Sequence, residues 1–205
     1  TGPCPRPASI RDASVIFCCL RQSACSCKAC HHAFCRNFVR KRWCDSTVST
    51  KPDPMTSVYR LDDETRTLAF GAAIAALLTP GDVLALHGGL GVGKTTFARG
   101  LIQALLPDIG EVPSPTYTLV QAYEGPGFPI WHFDLYRLES PDEMEEIGWQ
   151  ETAEGVALVE WPDKAGPHLP AWRLDLLFGF EGDHRTVTLE PHGEDWQTRI
   201  DAFRF

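Results

Sequence analysis

A continuous apolar run, Val83-Leu84-Ala85-Leu86, leads directly into Gly88-Gly89-Leu90-Gly91-Val92-Gly93-Lys94-Thr95. Four apolar residues without a polar break are the pattern of a strand buried on both faces, as in the middle of a parallel sheet. The segment behind the loop, Thr95 to Leu106, reads as a helix. Strand, glycine loop and helix in this order satisfy the G-x-x-x-x-G-K-[ST] pattern with its required context. Glycines let the backbone turn its N–H groups inward as an anion nest, and the helix N-terminus adds a positive dipole end. Lys94 neutralises outer phosphates, and Thr95 offers a hydroxyl to Mg²⁺. The expected nucleotide contacts are therefore Gly88, Gly89, Leu90, Gly91, Val92, Gly93, Lys94, Thr95 and the neighbouring Thr96.

The rest of residues 55–205 fits an α/β domain: a mixed, mostly parallel sheet flanked by helices, in the P-loop NTPase manner. An edge strand is expected at Val58–Leu61, then a helix capped by Asp62 or Asp63 and running through Glu64 to Leu78. Thr79-Pro80-Gly81-Asp82 stops it. Val112-Pro113-Ser114-Pro115-Thr116-Tyr117 makes a stiff turn, with Tyr117 to Tyr123 read as strand. In P-loop proteins such a loop often supplies a hydroxyl that meets the γ-phosphate, a role Thr116 fits as well as it fits an ordinary proline turn. Nothing in the sequence is seen to fasten this loop.

Two further strands, Ile130–Asp134 and Val156–Glu160, each end in a carboxylate. A strand-end acid can hold a P-loop Mg²⁺ and a second can position the attacking water, but spacing does not say which acid takes which role. His132, between Trp131 and Phe133, reads as a packed residue. Ser140-Pro141-Asp142-Glu143 is a capping box opening a short acidic helix that ends near Gly148. Strands around 173–180 and 185–190 and a helix over 194–205 complete the sheet.

Charge divides the chain. Residues 1–54 carry nine Lys and Arg against three Asp, a net of +6, and all eight cysteines; residues 55–205 carry a net of −14 and no cysteine. Cys27-x2-Cys30 has the spacing of a zinc ligand pair but the other thiols crowd around it irregularly, so a disordered extension is the preferred reading of this segment. Met55 follows Pro-Asp-Pro and precedes the first patterned element, which points to Met55 as the native start and to residues 1–54 as a mis-assigned start. Intact-mass analysis would decide. No window approaches the roughly 18 consecutive apolar residues of a membrane helix, so a cytoplasmic protein without membrane association is expected. An acidic domain does not grip nucleic acid alone, because phosphate binding depends on clustered Lys and Arg.

GGLGVGKTTFARG, VPSPTYTLV, WHFDLYRL and LVEWPDKAG, in this order and at these separations, closely resemble the TsaE family, also called YjeE, from about Leu61 to Arg185. The resemblance implies a small bacterial P-loop ATPase that binds ATP and Mg²⁺. It also implies action with the TsaB and TsaD proteins in forming N6-threonylcarbamoyladenosine at position 37 of tRNAs reading ANN codons, with tRNA engaged only through the complex. It assigns Thr95 and Glu160 to Mg²⁺, Thr116 to a switch-like loop and Asp134 to assisting hydrolysis beside Lys94. Trp161 shapes the site, and adenine contacts are expected from Glu64 or Thr65 and from Arg185. A small-molecule or nucleotide kinase shares the P-loop and size, but such kinases use several lid arginines, and only Arg137 lies between Arg99 and Arg173. A third reading is a non-catalytic module whose Thr116 loop is ordered by nucleotide; ADP release with and without phosphoryl acceptors separates the three.

Overall fold

Strand β2 (Val83–His87) and strand β5 (Val156–Glu160) pair in parallel at the centre of a seven-stranded sheet, and every residue of β5 is buried. The computed structural model describes residues 57–125 and 127–205; the cysteine-rich segment, Met55 and the Cys27–Cys30 spacing lie outside the described residues. Around this centre stand β1 (Ser57–Leu61), β3 (Val120–Glu124), β4 (Pro129–Asp134), β6 (Arg173–Glu181) and β7 (His184–His192), with helices α1 (Glu64–Ala75), α2 (Lys94–Leu105) and α3 (Glu194–Ala202). The spatial order is β1-β7-β6-β2-β5-β4-β3. Neighbours from β6 to β4 are parallel, and β1 runs with them because β7 is antiparallel to both β1 and β6. Five strands thus share one direction, and β3 and β7 oppose them. This is the mixed, mostly parallel sheet expected from the continuous apolar runs.

Each face of the sheet has its own cover. Leu84, Leu86, Leu158 and Leu174 point toward α1 and α2, meeting Phe70, Ile74, Phe97 and Leu101 in one core. Val83, Ala157, Val159 and Phe133 point the other way, against Leu135, Leu138, Met144 and Ala165 from short 3₁₀ turns. The acidic helix expected after Ser140 is one of these turns, Pro141–Met144. Its capping box is present: Asp142 N donates to Ser140 Oγ at 3.3 Å and Ser140 N to Glu143 Oε1 at 2.8 Å. Met144 ends the turn inside this core, Ile147 packs against the same core beyond it, and Gly148 at φ 82° ends the segment.

Helix α1 begins where Asp63 accepts from Arg66 N at 2.7 Å. It stops at Ala75 rather than Leu78, since Leu77 N already turns back to Ile74 O and Asp82 claims the Thr79 N–H. Arg199 of α3 then donates to both Asp82 oxygens, at 2.6 and 2.8 Å, tying α3 to the entry of β2. Gly100 sets the position of α2: a Cβ there would lie 2.3 Å from Leu68 O, so α1 and α2 cross backbone to backbone. Among the described residues no helix is long and apolar enough to cross a membrane.

Asp175 on β6 is buried, bonded by Arg173 at 2.6 and 3.0 Å and by His192 Nε2 at 3.0 Å, with His87 Nε2 3.5 Å away. Burial pushes this carboxyl up, but the contact with His87, the hydrogen bonds and charge of Arg173 and the charge of His192 outweigh it and lower it to about 2. A folded-state value below the unfolded one stabilises the fold above the unfolded pKa, and that contribution is lost as pH falls through the folded value. Between pH 4 and pH 2 wild-type stability is therefore expected to drop by about 2 kcal/mol more than that of Asp175→Asn. Urea unfolding at a series of pH values checks this, and parallel acid limbs would count against it.

Candidate nucleotide site

The carboxyl ends of β2, β5 and β4 lie side by side, with Leu86 opposite Glu160 and Glu160 opposite Asp134. The loop from Gly88 to Gly93 emerges from β2 at this edge and hands over to α2, whose first residue is Lys94. Ligands of open α/β sheets bind at such strand ends. Gly88 is required here: its φ is +132° and a Cβ would lie 2.6 Å from Phe178 O on β6. Val92 turns its side chain into the core, which anchors the loop from below.

Lys94 is buried, and its ammonium donates to Gly88 O and Gly89 O, each at 2.7 Å. The Trp161 ring lies over it, 4.2 Å from Nζ. Burial lowers the Lys94 pKa, while the nearby Glu160 and Asp134 charges oppose that shift. Trp161 reaches this position from a left-handed backbone at φ 59°, a conformation that costs a non-glycine residue about 1–2 kcal/mol.

Two hydroxyl–carboxylate pairs line the site. Thr95 Oγ1 donates to the Glu160 carboxylate, with 2.8 Å to Oε1 and 3.1 Å to Oε2. Thr116 Oγ1 donates to Asp134 Oδ2 at 2.6 Å, and Asp134 Oδ1 also accepts from Tyr136 N. The second pair fastens the proline turn, for which the sequence showed no fastening. It also explains why β3 starts at Val120 and not at Tyr117. Leu119 N closes a turn onto Pro115 O at 2.7 Å, and Leu119 itself is left-handed at φ 65°.

A cavity of about 270 Å³ is lined by Leu90, Gly91, Gly93 to Thr96, Thr116, Asp134, Tyr136, Glu160, Trp161 and Arg185. Arg185 sits at its rim, Nη2 3.4 Å from Gly91 O. Glu64 and Thr65 do not line it: both are exposed at the start of α1, and Glu64 stands 3.7 Å from Arg99. The sequence did not mark Tyr136 as part of this wall, although the 3₁₀ turn Leu135–Arg137 capped by Asp134 puts it there. It also missed that buried His132 contacts Glu160 Oε1 at 2.9 Å. The one available sign was the two-residue spacing that sets His132 on the same face of β4 as Asp134.

A family model described as "Threonylcarbamoyl adenosine biosynthesis protein TsaE" matches residues 61–187, a span containing the loop, both acids and Arg185. The chain belongs to the TsaE family. A TsaE protein of Rickettsia bellii is 43% identical over 117 residues, covering 57% of this chain and 81% of the relative. The Bacillus subtilis relative is 38% identical over 143 residues, 68% of this chain and 88% of its own. Both are named tRNA threonylcarbamoyladenosine biosynthesis protein TsaE. Among solved structures, one described as "Crystal structure of Bacillus subtilus YdiB" superposes with a TM-score of 0.59 at 31% identity, over 71% of this chain and 92% of that one. TsaE proteins take part in tRNA threonylcarbamoyladenosine biosynthesis, which places this chain in tRNA modification.

Proposed function

We propose that this TsaE protein is a Mg²⁺-dependent ATPase that works with TsaB and TsaD in the cytoplasm to form N6-threonylcarbamoyladenosine on tRNA. The observation that carries the reading is the Thr95–Glu160 pair directly behind the phosphate loop. A hydroxyl and a carboxylate are hard oxygen donors of the kind Mg²⁺ prefers, and it commonly takes one or two side chains and completes its shell with phosphates and water. In keeping with that, no group of three or more His, Cys, Asp or Glu among the described residues is placed to hold an ion unaided. Thr95 and Glu160 would hold the ion. When bound, Mg²⁺ supplies positive charge that offsets the charge on the β- and γ-phosphates.

The protein's own groups divide the remaining work. The loop N–H groups and the α2 N-terminus cradle phosphate oxygens. Lys94 moves from its Gly88 and Gly89 carbonyls to the outer phosphates, a short exchange because the ammonium already lies in the loop. Asp134 orients the attacking water, and Thr116, now bonded to it, is positioned to follow the γ-phosphate. Arg185 meets the base or ribose from the rim.

Two isosteric changes test the division of labour. Glu160→Gln should raise the Mg²⁺ needed for nucleotide binding about tenfold or more, whereas Asp134→Asn should bind Mg-ATP nearly normally and hydrolyse it about 10²- to 10³-fold more slowly. Mg²⁺ titrations of ADP affinity and single-turnover hydrolysis measure both. The reverse pattern would exchange the roles, and no effect of either would remove the assignment.

A further inference from the structure

His132 lies in a row with Ile130 and Asp134 on the face of β4 that points toward α2, and it is completely buried. Ile130 belongs to the core, so an isoleucine or leucine at 132 would continue the row at no polar cost. An imidazole there needs a reason. Its Nε2 is 2.9 Å from Glu160 Oε1, the diagonal neighbour on β5. A carboxylate only accepts, so Nε2–H donates. Among the described residues Nδ1, which is buried, has no hydrogen-bond partner. With the proton on Nε2, Nδ1 keeps only a lone pair, and an orphaned acceptor is tolerated better than an orphaned donor. Among the described residues the imidazole therefore has one polar contact, and that contact is Glu160.

We propose that His132 is a positioning residue, holding the Glu160 carboxylate in the orientation that serves Mg²⁺; this rests on the reading of Glu160 as a metal ligand. The Glu160 side chain needs such a hold. Its Cα partner across the β4–β5 ladder is Asp134, a second buried carboxylate, so repulsion between the two acts at the site. Asp134 is held by Thr116 and the Tyr136 N–H. Glu160 has Thr95, whose hydroxyl is itself expected to turn to the metal, and His132. Once Thr95 is engaged elsewhere, His132 is the remaining donor to Glu160 among the described residues. It takes a lone pair of Oε1 and leaves Oε2, which is bonded only to Thr95, free for coordination.

The experiment compares His132→Asn with His132→Gln in the full chain. Both keep a buried amide, but Gln places its nitrogen near the position of Nε2 and Asn falls short of Glu160. ADP affinity is measured by calorimetry in EDTA and across a Mg²⁺ series, with thermal unfolding in parallel. His132→Asn is expected to raise the Mg²⁺ concentration for half-maximal tightening about 10- to 100-fold while its affinity in EDTA stays within about threefold of wild type. His132→Gln is expected to return the Mg²⁺ requirement toward wild type. If His132→Asn cannot be purified, His132→Leu carries the same expectation. An unshifted Mg²⁺ requirement, or equal losses in EDTA and in Mg²⁺, would overturn the role of His132 alone. Wild-type ADP binding indifferent to Mg²⁺ would remove the metal reading beneath it.

Discussion

Lys94→Ala is expected to lower kcat/KM for ATP by about 10³-fold, which corresponds to roughly 4 kcal/mol of transition-state stabilisation. The size follows from where the ammonium sits. It is buried under the Trp161 ring, between loop carbonyls that it can exchange for phosphate oxygens, and in a medium where a charge is screened little. Removing it also leaves the nearby buried carboxylates Glu160 and Asp134 without their cation, so phosphate would meet uncompensated negative charge. Loss should therefore appear in binding as well as in turnover. ADP calorimetry and steady-state phosphate release on the same preparation measure it, and wild-type values in both would refute the assignment of the loop.

Those parts of the fold were legible where one local pattern had one physical meaning. Val83–Leu86 could be read as a central strand because burial on both faces suits such a run, Val156–Val159 could be read as an apolar strand, and the loop could be read because each of its residues answers to phosphate. Asp134 and Glu160 were visible as strand-end acids, but their adjacency depends on β4 and β5 being neighbours, which no local pattern encodes. The same holds for His132: a histidine between Trp131 and Phe133 looks like core until β5 is laid beside it. Thr116 shows the converse. Two prolines marked a stiff turn with no fastening visible in the sequence, whereas the bond to Asp134, 18 residues away, and the left-handed Leu119 hold it in place. The helix read over 141–148 is a 3₁₀ turn at Pro141–Met144 followed by turns as far as Gly148, because the capping box marks only where a helix begins and not how far it runs.

Hydrolysis by this chain alone should be slow, and addition of TsaB and TsaD should raise it by about 10³- to 10⁵-fold, the range that loop ordering or one arginine supplied from outside achieves in P-loop enzymes. Among the described residues, only Lys94 and Arg185 bring positive side chains to the cavity wall, and Arg185 stands at the rim by Gly91, on the loop rather than beside Asp134. Arg137, near in sequence to Asp134, lies over the Tyr117 ring at 5.2 Å instead of entering the cavity. Charge that develops on the transferred phosphoryl group thus has little to meet it. The Thr116 loop adds a second brake: its hydroxyl bonds Asp134, the group expected to orient water, so that bond must open before both can act on substrate. A partner pressing on exposed Tyr117, next to Thr116, has the means to shift it. The net of −14 on residues 55–205 further leaves tRNA to the partners, since like charges gain no counterion release on contact. Phosphate release is to be compared with and without TsaB and TsaD, and tRNA binding by this chain alone sought at physiological salt. Full activity without partners, or tight tRNA binding by the chain itself, would show that the cavity is already complete and that the bond between Thr116 and Asp134 restrains nothing.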